Sequence, residues 1–252
     1  MPLPEVLLDD NDAVYDYYLR HQQNRWKALA SYAVLARRFR PRVVFAEGAK
    51  QQLKALIRSG RPVIYAINHL STSDPYTVAA TAWRSPLRSK IGRVRVLAKD
   101  ELFLDPEQRR KVDMMGGIPV FRGKDHGIRA VNAAGQRMMD VCAQRLAAGD
   151  HLAIFPEGTC NEVDHTKVQA VGSGIGHIAF RAAKLGAAPA LIAIGMNYGD
   201  RDASAETTAA DVVSGVAYFR APILEVPQRP ADIARLVKEE LQLAVDGAVA
   251  HY

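Results

Sequence analysis

Residues 63–75 have the sequence VIYAINHLSTSDP, and the rest of the chain repeats the pattern that they contain. The stretch opens with an uninterrupted apolar run, Val63–Ile67, which is typical of a strand buried on both faces. Asp74 and Pro75 then mark the start of a helix, because Asp before Pro is a common N-cap. A buried strand that leads into a helix is the repeating unit of a parallel α/β sheet.

The same alternation continues on both sides of this stretch. Short β-rich runs predict strands at Val43–Ala46, Val63–Ile67, Val94–Ala98, Ile118–Phe121, His151–Phe155, Leu191–Ile194 and Val216–Phe219. Segments of helical length occur at Gln51–Ser59, Tyr76–Trp83, Gly127–Ala147, Gly176–Leu185 and Ala231–Val245, and Asp202–Ala210 is predicted to be a polar loop. We therefore expect residues 42–252 to form one α/β domain, with a mostly parallel sheet flanked by helices.

Residues 1–41 form a separate predicted element. Apolar and aromatic side chains recur at helical spacing from Asp9 to Arg40, and Pro41 ends the pattern. One long helix and a helical hairpin fit this spacing equally well. The element either packs on the α/β domain or contacts lipid, with Trp26 and the tyrosines of this segment at the interface.

Composition excludes several classes of protein. The chain has 252 residues, 48% of them hydrophobic, which suits a folded domain and not a disordered chain. The longest uncharged stretch, Leu185–Gly199, is shorter than the ~20 residues that a membrane-spanning helix needs. The N-terminus, MPLPEVLLDD, predicts no signal peptide, and two cysteines cannot form a disulfide framework. These features predict a cytoplasmic protein.

The chain is basic, with 33 Lys and Arg against 27 Asp and Glu, so an anionic partner is expected. No nucleic-acid-binding motif is present, and the basic residues lack the interleaved aromatics of a stacking platform. An acid-free stretch contains Arg84, Arg88, Lys90, Arg93, Arg95 and Lys99. This stretch is either a solvated basic face or a patch that binds anionic lipid headgroups, with Trp83 as an anchor.

Charged residues follow four of the predicted strands. They are His69, Lys99, Arg122 and Glu157. Because the carboxyl ends of parallel strands meet at one edge of a sheet, and ligands bind there, these side chains predict a functional site.

The spacing of His69 and Asp74 permits a contact between a strand end and a helix start. A carboxylate in that position would fix the imidazole tautomer and leave the other ring nitrogen free to take a proton. Neither a G-x-S-x-G nucleophile motif nor a phosphate-binding G-x-x-x-x-G-K-[ST] motif is present. Cys160 lacks the paired ligand spacing of a zinc site, so no metal is expected. A His–Asp pair without a nucleophile suits a general base acting on a substrate hydroxyl.

Four blocks of sequence occur here in the order found in the glycerolipid acyltransferases, which include the lysophosphatidate and glycerol-3-phosphate acyltransferases. They are Asn68-His69-(x4)-Asp74, Lys99–Leu102, Gly117–Arg122 and Phe155–Thr159. The chain resembles that family over about residues 43 to 195. The resemblance implies direct transfer of an acyl chain from a thioester to a hydroxyl, without a metal, a cofactor or an acyl-enzyme.

The resemblance also implies roles for single residues. His69 resembles the general base and Asp74 its orienting partner, while Lys99 and Arg122 resemble the site for the acceptor phosphate. Glu157, Gly158 and Thr159 resemble residues that shape acceptor binding. The donor is then acyl-CoA or acyl carrier protein, the acceptor is a glycerol phosphate or lysophospholipid, and the enzyme acts peripherally on the inner face of an anionic membrane.

One position departs from the family pattern. The family commonly continues the Glu-Gly-Thr block with Arg-Ser, whereas this chain has Cys160 and Asn161. A cation that often helps to hold the acceptor phosphate is therefore missing. A different lysolipid or a glycolipid acceptor remains an alternative, and so does a catalytically idle relative that binds lipid.

Overall fold

The structure is a computed structural model that describes residues 3–199 and 214–252. The loop predicted at Asp202–Ala210 lies outside the described residues. The strands are β1 (Arg42–Phe45), β2 (Val63–Ile67), β3 (Val94–Lys99), β4 (Gly117–Val120), β5 (His151–Ile154), β6 (Ala190–Asn197) and β7 (Val216–Phe219). They form one sheet in the order β1-β7-β6-β2-β5-β3-β4, which is parallel except for the antiparallel pair β6–β7.

Helices cover both faces of this sheet. They are α1 (Asn11–Arg20), α2 (Arg25–Phe39), α3 (Ala49–Ser59), α4 (Asp74–Trp83), α5 (Pro106–Met114), α6 (Gly123–His126), α7 (Asn132–Ala147), α8 (Gly174–Lys184) and α9 (Pro230–Ala250). One hydrophobic core lies between the sheet and α1, α7, α8 and α9, and a second lies between the sheet and α2, α3 and α4. The predicted α/β architecture, with a mostly parallel sheet flanked by helices, is confirmed.

The N-terminal helical element consists of two helices and not one long helix. They pack on opposite faces of the sheet: Val14 and Tyr15 of α1 belong to the first core, and Ala28 and Tyr32 of α2 belong to the second. The segment between them passes beside the start of β4, where the Gln23 side chain donates a hydrogen bond of 2.9 Å to the carbonyl of Met114. Most of the predicted interfacial tyrosines are therefore core residues.

Strand order explains where the functional side chains meet. β2 lies between β6 and β5, so the residues that follow these three strands are immediate neighbours at one edge. β3 and β4 lie further out, and neighbouring strands are about 4.8 Å apart. The backbone at Lys99 is thus roughly 10 Å from that of β2, and the backbone at the end of β4 roughly 14 Å.

The long helix α9 is pressed against the middle of the sheet at Gly195 of β6. A Cβ atom added at Gly195 would lie 2.0 Å from the carbonyl oxygen of Ala244 in α9. Only glycine permits this approach, because the opposing atom belongs to helix backbone and cannot rotate away. The contact fixes β6, whose carboxyl end reaches the candidate site.

We expect Gly195→Ala to lower the free energy of unfolding by at least about 1–3 kcal/mol, the usual cost of overpacking a core. Gly135→Ala is the matched control, because a Cβ at that position of α7 meets no atom within 4 Å. Gly135→Ala should raise the free energy of unfolding by about 1 kcal/mol, the difference between Ala and Gly in a helix interior. Denaturant unfolding measures both, and equal stabilities of the two variants would contradict the packing described here.

Candidate active site

His69 lies on the loop that follows β2, and Asn68 anchors that loop. The Asn68 side chain accepts a hydrogen bond of 2.6 Å from the Met196 amide and donates one of 3.0 Å to the Met196 carbonyl. Both bonds are buried and tie the loop to the neighbouring strand β6. The position of His69 is therefore set by two strands.

The predicted contact between His69 and Asp74 is present. Nδ1 of His69 lies 2.9 Å from Oδ2 of Asp74. Because a carboxylate can only accept a hydrogen bond, Nδ1 carries the proton of this bond. In the neutral imidazole, Nε2 is then the atom with a free lone pair, as a general base requires.

Asp74 is fully buried, and donors satisfy both of its oxygens. Oδ2 also accepts the amides of Leu70 and Ser71 at 2.6 and 2.9 Å, and Oδ1 accepts the hydroxyl of Tyr198 at 2.7 Å. Asp74 is not the N-cap of α4, as we had expected: Ser73 occupies that position, and Asp74 begins the helix. Its carboxylate turns back to the His69 loop, because that loop presents three donors to it.

Glu157 supports His69 from the other side, after β5. Its Oε1 accepts the backbone amide of His69 at 2.8 Å, and its Oε2 accepts the amide of Gln169 at 2.8 Å. Burial raises the pKa of Glu157, although these two hydrogen bonds and the nearby imidazole oppose the rise. Both oxygens are thus engaged with backbone, and Glu157 holds the His69 loop in place. The family resemblance had implied acceptor binding for it.

The His69 ring is enclosed by two further side chains. Phe155 stacks on it with ring centroids 4.4 Å apart, and Sγ of Cys160 lies 3.5 Å from Nε2. Burial alone would lower the pKa of His69, but the hydrogen bonds with Asp74 and Cys160 outweigh burial and raise the pKa to about 9. The imidazolium is thus the more stable form at neutral pH.

A narrow apolar pocket begins beside this ring. It lies between the sheet and helices α2 and α4, and its cavity volume is about 40 Å³. Its lining consists of Tyr32, Tyr65, Ile67, Pro75, Val78, Ala79, Ala82, Leu87, Val94, Val96, Met115, Ala153, Phe155 and Ile194. From Ile67 at the site, the pocket reaches back along the sheet to Val94, which lies near the start of β3. This apolar lining suits hydrocarbon more than a polar group.

The predicted phosphate-binding cations share the same sheet edge but lie apart from His69. Lys99 forms an ion pair of 2.5 Å with Glu101, and Arg122 forms one of 2.7 Å with Asp125. Both cations are partly exposed, and an anion that binds them competes with these carboxylates. Gly158 forms a turn with a φ of +73°, and Thr159 follows it, half-buried, beside the site.

The acid-free stretch is not one continuous basic face. Arg95 is buried and pairs with Asp150 at 2.8 Å, so it belongs to the core of the fold. Arg88 lies over the ring of Trp83, 3.8 Å from the centroid, and Trp83 is half-buried. Trp83 is therefore not an exposed anchor. Within residues 3–199 and 214–252, no helix is both long and apolar enough to cross a bilayer.

Two residues of the site were not predicted to contribute to it. Tyr198, which follows β6, donates a hydrogen bond to Oδ1 of Asp74, and Sγ of Cys160 contacts Nε2 of His69. Tyr198 carried one local signal: it follows a long apolar run, as His69 does. That signal becomes informative only when β6 is known to lie beside β2.

Comparison with known proteins places this geometry in a family. The acyltransferase family model matches residues 48–196, more than half of the chain, and the chain belongs to that family. Among solved structures, the chain is similar to the 1-acyl-sn-glycerophosphate acyltransferase PlsC from Thermotoga maritima. The match has 16% sequence identity and a TM-score of 0.56, and covers 94% of this chain and 88% of that one. No curated protein sequence matches.

The predicted acyltransferase family is therefore confirmed, and the protein is an acyltransferase. At this sequence identity, the likeness to PlsC shows a common fold.

Proposed function

We propose that the protein transfers a fatty acyl chain from a thioester donor to a hydroxyl of a glycerol phosphate or lysophospholipid, with His69 as the general base. The observation that carries this proposal is the bond between His69 Nδ1 and the buried carboxylate of Asp74. That bond leaves Nε2, which lies 3.5 Å from Sγ of Cys160, as the basic nitrogen, and Phe155, which stacks on the same ring, also lines the apolar pocket. The base and a cavity for the acyl chain thus meet at one point.

In this reaction, Nε2 takes the proton of the acceptor hydroxyl, and the oxygen attacks the carbonyl carbon of a thioester. The imidazolium that forms is stabilised by Asp74. The thiol leaving group then receives the proton. These steps need no cofactor, and acyl-CoA and acyl carrier protein are both suitable donors.

The proposed acceptor class rests on two cations, Lys99 and Arg122, at the carboxyl ends of the outer strands β3 and β4. Lys99 and Arg122 follow neighbouring strands, so both can reach a phosphate bound there, and an Arg fork can bind two of its oxygens. Lys99 and Arg122 must leave their ion pairs with Glu101 and Asp125 when they bind the phosphate. A phosphate roughly 10–14 Å from the backbone of β2 leaves room for a glycerol unit to reach His69.

The test is an acyl-transfer assay with labelled palmitoyl-CoA and palmitoyl acyl carrier protein, offered to glycerol phosphate, lysophospholipids and a glycolipid. We expect product with a phosphate-bearing acceptor, and a fall of about 10²–10⁴ in turnover for His69→Ala, the usual worth of a positioned base. His21→Ala is a matched control, because His21 contacts Asp113 before β4, at the opposite edge of the sheet.

The pH dependence gives an independent check on the base. With a pKa of about 9, His69 must lose a proton before it can act, so turnover should rise about tenfold per pH unit up to pH 9 and then level off. A flat profile from pH 7 to 9, or a folded His69→Ala variant that keeps more than a tenth of the activity, would exclude His69 as the base. Lipid binding without turnover by the wild type would identify an idle relative.

We also propose that α2 places the enzyme on an anionic membrane surface. Trp26 is 81% exposed and Val34 is 67% exposed. Together with Ala30 they recur every fourth residue, so they form one outward apolar stripe. Lys27 and Arg37 are exposed on the same helix. The opposite side of α2 carries Tyr32, which lines the apolar pocket, so a lipid-bound α2 would lie between the membrane and that pocket. The cytoplasmic location stays a prediction.

Replacing both Trp26 and Val34 with Glu should abolish co-sedimentation with phosphatidylglycerol vesicles at low salt, because the stripe can no longer enter the interface. Leu243→Glu, an exposed apolar position on α9, should leave binding unchanged. Wild-type binding should weaken as salt screens Lys27 and Arg37. Equal binding by the double variant and the wild type would remove α2 as the membrane contact.

A further inference from the structure

A second cavity opens at the opposite edge of the sheet from His69. Its volume is about 550 Å³, within the range of ~300–1,000 Å³ that is usual for small-molecule sites. Arg61, which lines it, precedes β2, and Ala188, which also lines it, precedes β6, so the cavity lies at the amino ends of these paired strands. Val63 and Ile67, at the two ends of β2, are roughly 13 Å apart, and the cavity is therefore separate from the candidate active site.

Regular elements of the fold hold this second cavity in place. Phe180 and Ala183 of α8 line it, and so does the whole segment 224–228 between β7 and α9. That segment is tied to the start of β6, because Leu191 and Ile223 exchange two backbone hydrogen bonds of 2.8 and 3.0 Å. The cavity is thus formed by packed elements of the fold.

Most of the lining of the second cavity is hydrocarbon. Apart from Arg61, Lys184, Glu225 and Gln228, every side chain that lines it is apolar. One of these apolar residues, Leu224, is 51% exposed. Covering such a surface with hydrocarbon is favourable, because apolar area is removed from water.

Two cations of the lining have no carboxylate partner within the described residues. Arg61 donates hydrogen bonds to two backbone carbonyls, one of them that of Ala188 at 2.6 Å, so neutral groups hold its guanidinium. Nζ of Lys184 lies 4.5 Å from the ring centroid of Phe180. Lys184 is four residues before Ala188, so both cations flank the turn after α8. Glu225 also lines the cavity, and its single negative charge leaves the lining net positive.

We propose that this cavity binds a single-chain lipid with an anionic head group, such as a fatty acid, at a site that takes no part in acyl transfer. The chain packs on Phe180, Ala183 and Leu224, and the head group binds Lys184 and Arg61. The volume suits one chain and not a protein helix, whose diameter with side chains is about 10–12 Å. A carboxylate and a phosphate ester share the chemistry that these two cations recognise.

Equilibrium dialysis of the full chain with radiolabelled palmitate, below its micellar concentration, measures binding. Ala183→Phe fills the cavity from an exposed position of α8 and should remove one equivalent of bound palmitate. Lys184→Glu reverses one charge and should weaken that binding about tenfold or more, because a charge-assisted contact is lost. Lys238→Glu is the matched control: Lys238 is exposed on α9 outside the cavity, and this variant should bind as the wild type does. Melting temperatures establish that each variant is folded.

Photo-labelling locates the bound chain. The wild type is irradiated with a palmitate that carries a diazirine in its chain, and mass spectrometry identifies the labelled residues. We expect labels on α8 or on residues 224–228, removed by excess palmitate. Palmitoyl lysophosphatidate distinguishes the two head groups: stronger competition than that of palmitate assigns a phosphate, and weaker competition assigns a carboxylate.

Equal palmitate binding by the wild type, Ala183→Phe and Lys184→Glu would overturn the proposal, and so would labels confined to the pocket beside His69. Methyl palmitate has no charge, and binding as tight as that of palmitate would exclude recognition of an anion. Protection of Lys184 from acetylation by acyl carrier protein, and not by palmitate, would make this face a protein-binding surface instead. Acyl transfer is measured separately: the three variants should keep wild-type turnover, and a cavity that binds no lipid leaves the proposed function standing.

Discussion

The candidate site depends on one buried carboxylate. Asp74 has no solvent exposure, and four donors surround its two oxygens. An ionised carboxylate without such partners would be very costly to bury, so the loop that carries His69 must wrap around Asp74 for the chain to fold as it does. The same bonds orient the imidazole. The bonds that make the burial of Asp74 possible therefore also orient the His69 imidazole.

The topology of the sheet brings the remaining parts to this carboxylate. β2 supplies His69, β6 supplies Tyr198, and β5 leads to Glu157 and Cys160. The close approach of α9 to Gly195 fixes β6, and the bonds between Asn68 and Met196 transmit that position to the His69 loop. The outer strands β3 and β4 hold Lys99 and Arg122 further from His69. Under the proposed function, this separation places the acceptor phosphate apart from the reacting hydroxyl.

Much of this was predictable from local sequence. The bounds of β2 and β7 match the apolar runs that predicted them, because a strand buried on both faces shows itself without reference to the rest of the chain. The contact of His69 with Asp74 was predictable for a related reason: a strand end and the next helix start are joined by a short loop.

Other features depended on strand order, which no local pattern encodes. Tyr198 and Cys160 are far in sequence from Asp74 and His69, the residues that they contact, and they reach them only because β6 and β5 flank β2. Arg95 was expected in an accessible basic stretch, but Asp150 pairs with it inside the fold. Asp74 was expected to cap α4, and the unforeseen donors on the His69 loop gave its carboxylate another role.

The central claim is that Asp74 holds His69 with a proton on Nδ1 and leaves Nε2 as the basic atom. Nitrogen NMR spectroscopy of protein labelled at histidine, with the His69 signals assigned by their loss in His69→Ala, measures this directly. The account predicts that Nε2 is the nitrogen that titrates, with a midpoint near the pKa of about 9. A proton that stays on Nε2, with Nδ1 titrating near the ordinary histidine value of ~6.5, would contradict it.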